Sequence, residues 1–419
     1  MDTIEPLNLA AEASELFIER PIETTPKIAA GRLPFMAFVD AETERVLQEA
    51  SVLLGRSMVI RGGIAKAIDY LSEQRSPHLL LVDISGVDLP LSQIQILADV
   101  CEPGTAVVAL GDHNDVALYR DLQEAGVSNY IVKPLTRELL LRALTPKPNT
   151  GEVVRPGLKL GKMVSFIGAR GGVGTTTLAA NLAWHLANRQ SRRVALVDLD
   201  LQTGDCALLF NINTTPGLRD ALANPLRIDH LLVDRIMTQY GERLFVLGSE
   251  ESIHDNLQIT TSAVDALFAV LRSQFHYIVV DVPRIPTPAY RRVLEIADRR
   301  IIVVDQTMRS MRDGMRLAKM LGDDGAPGAE RSAEHRNLFV LNRIGEAGRN
   351  SLGLTDVHKV LKVRPVAQIP FLPTLVMPSA HHGLVAANQR GKFTDAVTIL
   401  ALELSGRKRK QRWWRRIAK

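Results

Sequence analysis

At 419 residues the chain is long enough for roughly two or three domains with full cores. Its apolar fraction of 46% and charged fraction of 23% exclude a disordered or low-complexity protein; no run approaches the roughly 20 apolar residues that span a bilayer, and Cys101 and Cys206, the two cysteines, are too few for a disulfide framework or a zinc module. The net charge of +5 is local, because the segment after Gly406 carries eight Lys and Arg and no acid, which leaves the rest mildly acidic.

Residues 1–33 show no sustained period and read as a leader. Met1-Asp2-Thr3-Ile4-Glu5 lacks the basic and apolar regions of a signal peptide, so a cytoplasmic chain is expected. From 34 to 144 short apolar runs alternate with helical stretches. Phe35–Val39 ends at Asp40, His78–Val82 at Asp83, Ala106–Leu110 at Gly111, and Tyr130–Val132 at Lys133. That alternation predicts a parallel doubly wound sheet, with its chemistry at the carboxyl ends of the strands, where Asp40, Asp83 and Lys133 lie.

This arrangement resembles a response-regulator receiver domain, a flavodoxin-like fold. The resemblance implies that Asp83 is the phosphoacceptor, that Asp40 helps bind Mg²⁺, and that Lys133 pairs with the phosphate. Two departures favour a pseudo-receiver used for docking or dimerisation. The paired acids of a receiver are here Asp40-Ala41, and the hydroxyl residue after the fourth strand is Gly111.

Residues 145–158 hold three prolines and two glycines and read as a linker. The second domain, 159–405, opens with the apolar strand Met163–Ile167, then Gly168-Ala169-Arg170-Gly171-Gly172-Val173-Gly174-Thr175-Thr176-Thr177, then a helical pattern with Leu178, Leu182 and Leu186. A Gly-rich turn between strand and helix lets backbone N–H groups face a phosphate beside the positive end of the helix dipole. The usual loop ends Gly-Lys-Ser/Thr; here the Lys position is Thr175, the Mg²⁺-binding hydroxyl position is Thr176, and Arg170 is the replacement cation.

Further acids follow at strand ends. Arg193–Val197 runs into Asp198-Leu199-Asp200, and alternation on an extended segment would turn both carboxylates to one side. Tyr277–Val280 ends at Asp281, the position of a Walker B acid near Mg²⁺. Strands are also predicted at Arg300–Val304, Asn337–Leu341 and Pro365–Ile369, and helices over 310–321 and 393–405. Arg407–Lys419, with Trp413 and Trp414 among the cations, suits an anionic membrane surface; a solubilising tail or nucleic-acid binding through stacking are the alternatives.

Arg170-Gly171-Gly172-Val173-Gly174-Thr175-Thr176 resembles the deviant Walker A loop of the ParA/MinD family, with Arg at the family's signature Lys and Thr at its second Lys. The double departure, together with the receiver-like half, resembles the CpaE/TadZ branch that serves Flp/Tad-type pilus assembly. The implied fold is α/β, two doubly wound parallel-sheet domains, the second a P-loop NTPase. The resemblance also implies ATP and Mg²⁺ as cofactors, with the nucleotide on Arg170–Thr177, and Thr176, Asp281 and Asp198 around the metal. It assigns Asp200 and Arg170 to catalysis and Asn342 to the adenine. It further implies a homodimer in the ATP state, pilus or secretion machinery proteins as partners, and a place at the inner membrane or cell pole. Loss of the lysine at 175 makes slow or absent hydrolysis the expectation. A nucleotide-stabilised scaffold that never hydrolyses is the alternative, and a partitioning protein that binds DNA is a further one. A dinucleotide oxidoreductase fails because no Gly-x-Gly-x-x-Gly fits between Gly168 and Thr177.

Overall fold

The structure is a computed structural model that describes residues 33–49, 56–139, 160–252, 254, 258–322, 336–346, 348, 351–381 and 383–405. The leader up to 32, the linker 145–158 and the basic Trp-containing tail 406–419 lie outside the described residues.

The first domain is a five-stranded sheet: β1 (Phe35–Val39), β2 (Ser57–Arg61), β3 (Leu79–Asp83), β4 (Ala106–Gly111) and β5 (Asn129–Val132). The order is β2-β1-β3-β4-β5, every pairing parallel. Helices cover both faces, as a parallel sheet requires. Period-2 alternation divides the strands: Met36, Phe38, Leu80 and Val82 pack with Ile64, Leu71, Ile94 and Leu97 on one side. Phe35, Ala37, Val39 and Leu81 pack with Leu47, Leu110 and Ile131 on the other. Asp40, Asp83 and Lys133 consequently meet at one edge.

Among the described residues the second domain has eight strands: β6 (Lys162–Gly168), β7 (Val194–Asp198), β8 (Thr238–Tyr240), β9 (Leu244–Leu247), β10 (Tyr277–Asp281), β11 (Arg299–Val304), β12 (Asn337–Ile344) and β13 (Ala367–Pro370). Their order is β13-β12-β11-β6-β10-β7-β9-β8. All pairings are parallel except β8 with β9, which makes an antiparallel edge. The P-loop strand β6 is central, between β11 and β10. Helix Thr175–Asn188 follows it; its sequence TTTLAANLAWHLAN holds no acid, Lys or Arg, and it is buried almost all round, packing with helix Lys392–Ser405 on one face. Helices Thr261–Gln274, Pro288–Ile296 and Met308–Met320 cover the opposite face. Within β6, Val164 and Phe166 join the first layer and Met163 and Ile167 the second.

The domains meet at the amino ends of β7 and β10. Arg193 lies 4.6 and 4.7 Å over the rings of Phe245 and Phe275 and pairs with Glu102 of the first domain at 3.6 Å, an acid that Arg75 also meets at 3.3 Å. Arg243 donates to the carbonyls of Ser72 (3.3 Å) and Glu73.

Candidate nucleotide-binding site

Ala169 continues the pairing of β6 with β11 by donating to the Val303 carbonyl at 2.9 Å, and the chain then leaves the sheet through Arg170–Gly174. Asn342 Nδ2 donates to the Val173 carbonyl at 2.7 Å, and Arg343 donates to the Gly172 carbonyl. Across a trans peptide the N–H points away from the preceding C=O. Tying those two carbonyls to the end of β12 therefore turns the Val173 and Gly174 amides the opposite way, toward the mouth of the loop. Among the described residues nothing lies within 4 Å of where a side chain would stand on Gly171 or Gly172.

Gly174 is the cap of the helix. Its φ of 88° is left-handed, and a Cβ there would stand 2.6 Å from Asn342 Nδ2, so the position requires glycine. Among the described residues no side chain caps the helix's first amides. A helix start with uncapped donors and an open Gly-rich loop above it is the geometry that holds phosphate.

The acids divide by position. Thr176 Oγ1 donates to Asp281 Oδ2 at 2.5 Å. Asp198 Oδ2 accepts from the Cys206 amide at 3.0 Å and Oδ1 from the Asp200 amide at 3.1 Å. Candidate ligand atoms of Asp198, Cys206 and Asp281 all lie within 4.8 Å of one another and all three residues are buried. Burial raises the Asp198 carboxyl to about 6. Burial, and then the Asp198 charge, pushes Asp281 up to about 7. Adjacent buried carboxylates with raised pKa values are what a divalent cation relieves. The oxygens of Thr176, Asp281 and Asp198 suit Mg²⁺, a hard ion. The soft Cys206 thiol, pushed well above its usual range by burial, contributes no anionic ligand.

Asp200 departs from the sequence expectation in one respect. β7 ends at Asp198, so strand alternation does not extend to Asp200. Its carboxylate instead accepts from the Thr203 amide (3.0 Å) and hydroxyl (2.8 Å) in the following turn, while its charge still acts on Asp198 and Asp281. Arg170 turns back onto its own domain: its guanidinium forms an ion pair with Asp305, a buried acid just past β11 that sequence reasoning missed. The signal was present, since Val303-Val304-Asp305 repeats the strand-then-acid pattern of Asp198 and Asp281.

In the first domain, Lys133 Nζ reaches Asp40 Oδ2 and Asp83 Oδ2, both at 2.5 Å. The remaining oxygens are also engaged, Asp40 Oδ1 by the Thr43 amide (2.8 Å) and Asp83 Oδ1 by the Ser85 amide (2.9 Å). Burial works against the Asp40 charge, but the Lys133 and Thr43 hydrogen bonds outweigh it and lower its pKa to about 2. Gly111, at the receiver's hydroxyl position, makes room for Tyr130, whose Oη would lie 2.3 Å from any Cβ there and donates to the His113 carbonyl at 2.8 Å.

Comparison with known proteins agrees with this geometry. A family model described as an AAA domain matches residues 161–322. The septum site-determining protein MinD of Helicobacter pylori is 24% identical over 257 residues, 61% of this chain and 90% of that protein. The crystal structure of a ParA family ATPase from Chlorobium tepidum superposes with a TM-score of 0.50 at 23% identity, covering 57% of this chain and 98% of that one. A pilus assembly protein CpaE structure from Caulobacter crescentus is 37% identical over 27% of this chain and 90% of that one, with a TM-score of 0.25. With its P-loop, strand-end acids and sheet order, the second domain is similar in sequence to MinD proteins and in fold to ParA/MinD-type nucleotide-binding NTPases.

Proposed function

We propose that this chain binds ATP with Mg²⁺ on Arg170–Thr177 and works as a dimerising switch in the assembly or positioning of a Flp/Tad-type pilus machine, with slow or absent hydrolysis. The observation that carries the nucleotide reading is the loop itself: a left-handed Gly174 on an uncapped helix, with carbonyls 172 and 173 tied behind it. Thr176, Asp281 and Asp198 hold the metal, which neutralises phosphate charge when bound. Asp200 orients water, Arg170 meets the phosphates of a second copy, and Asn342, expected at the adenine, holds the Val173 carbonyl that shapes the loop. The pilus assignment rests on sequence: Arg170 and Thr175 at the two lysine positions, joined to a receiver-like domain. In this reading the first domain is a pseudo-receiver, since Ala41 stands where a second metal-binding acid belongs, Gly111 stands at the hydroxyl position, and Lys133 bridges Asp40 and Asp83. The tail Arg407–Lys419 would add affinity for anionic membrane at the cell pole once two copies pair.

A scaffold that never hydrolyses is the second reading, and Thr175 favours it, because the positive charge that stabilises the transition state is missing. Sedimentation of the full chain with Mg-ATP, Mg-ADP and no nucleotide, alongside phosphate release, tests both. The switch gives an ATP-dependent dimer with slow release, and the scaffold gives the dimer with none. A chain that remains monomeric in every condition contradicts the proposal.

A further inference from the structure

Asp305 is 2% exposed, directly past the carboxyl end of β11, the strand paired with the P-loop strand β6. Its Oδ1 accepts from the Thr307 hydroxyl (2.6 Å) and amide (3.1 Å), and its amide donates to Ser310 Oγ (3.0 Å). These contacts fix the carboxylate at the start of helix Met308–Met320. Oδ2 is met by the Arg170 guanidinium and by no other donor among the described residues. Arg170 also donates to its neighbour's carbonyl, Gly171 O, at 3.2 Å, and its side chain keeps 32% of its surface exposed.

A buried carboxylate is costly unless paired, so the fold itself demands a cation at this spot. The cation it draws is the one the loop offers in place of its missing lysines. A guanidinium held against a buried carboxylate has its charge engaged there, so reaching a phosphate on a second copy requires that contact to loosen. Building on the proposed function, we infer that Asp305 is a positioning residue that latches Arg170 onto its own subunit in the unpaired chain, so that pairing of two copies over a nucleoside triphosphate requires this ion pair to open. Asp305 acts as an internal stand-in for the phosphate. It sets the threshold at which Arg170 exchanges one anion for the other.

The test compares full-length wild type, Asp305→Asn and Asp305→Glu by sedimentation across protein concentration, with Mg-ATP, Mg-ADP and no nucleotide, together with calorimetry of nucleotide binding. Asn keeps the volume and the acceptor for Thr307 while removing the charge. Asp305→Asn should dimerise with Mg-ATP at about tenfold lower protein concentration than wild type, with Mg-ADP affinity within about twofold. Asp305→Glu should return to wild-type behaviour. A role limited to holding the helix start would lower the melting temperature without changing the ATP dependence of pairing. If Asp305→Asn melts below the assay temperature, Asp305→Ser replaces it. Equal dimerisation of variant and wild type, with Mg-ATP binding intact in both, overturns the latch alone. No Mg-ATP binding by either chain overturns the proposed function, and the latch with it.

Discussion

Thr175 occupies the first turn of helix Thr175–Asn188, at the position from which a lysine ordinarily reaches the outer phosphates. A hydroxyl there cannot supply the positive charge that develops its value in the transition state, so binding survives better than turnover. Thr175→Lys should raise ATP hydrolysis by roughly 10- to 100-fold, measured as steady-state phosphate release; an unchanged rate would mean that the remaining machinery does not support hydrolysis. Asn342 has a separate role at the same loop. Asn342→Ala removes the donor to the Val173 carbonyl and should cost about 1–2 kcal/mol, read as roughly tenfold weaker nucleotide binding at saturating Mg²⁺.

Elements differ in how plainly their sequences announce them. Strands with unbroken apolar runs, such as Ala195–Val197 and Ile278–Val280, were legible because both faces of a parallel sheet are covered. β2 was not, since it is an edge strand with half-exposed residues and its Ser57 and Arg61 break the apolar signal. β8 is three residues long and pairs antiparallel at the other edge, below what period counting detects. The P-loop acids were legible from their strand ends, whereas the Arg170–Asp305 pair depends on β11 lying next to β6, which spacing alone does not give. Gly111 and Tyr130 show the same dependence on tertiary placement. Gly111→Thr, which restores a receiver-like hydroxyl, should destabilise the first domain by about 1–3 kcal/mol, because its Cβ would meet the Tyr130 ring; urea unfolding checks this, and an unchanged midpoint would mean that Tyr130 rotates away freely.

At the scale of the whole molecule, the first domain rests against the amino ends of β7 and β10, the strands whose other ends carry Asp198 and Asp281. His276 lies in this seam. Its Nδ1 accepts from the Arg193 amide at 3.1 Å, and the Val100 and Cys101 backbone adjoins it. Burial, and then the Arg192 charge, pushes its pKa down from 6.5 to about 4. The unfolded imidazole therefore takes up its proton at a higher pH than the folded one. His276 imposes no penalty above about pH 6.5, and stability falls as the pH drops from there toward 4. Urea midpoints should decline across that window in wild type and decline less in His276→Gln; parallel profiles would remove His276 as the cause.

The central claim is that the Arg170–Thr177 backbone holds a triphosphate without the usual lysine. Titrating the full chain with Mg-ATP in a calorimeter tests it most directly, with Gly174→Ala as the control, since that substitution strains the left-handed cap and drives a methyl into Asn342. The account predicts saturable heat with a dissociation constant of about micromolar order, near 8 kcal/mol of binding free energy, abolished in Gly174→Ala. A flat titration of the wild-type chain at about millimolar nucleotide, well above the concentration such an affinity requires, would contradict it.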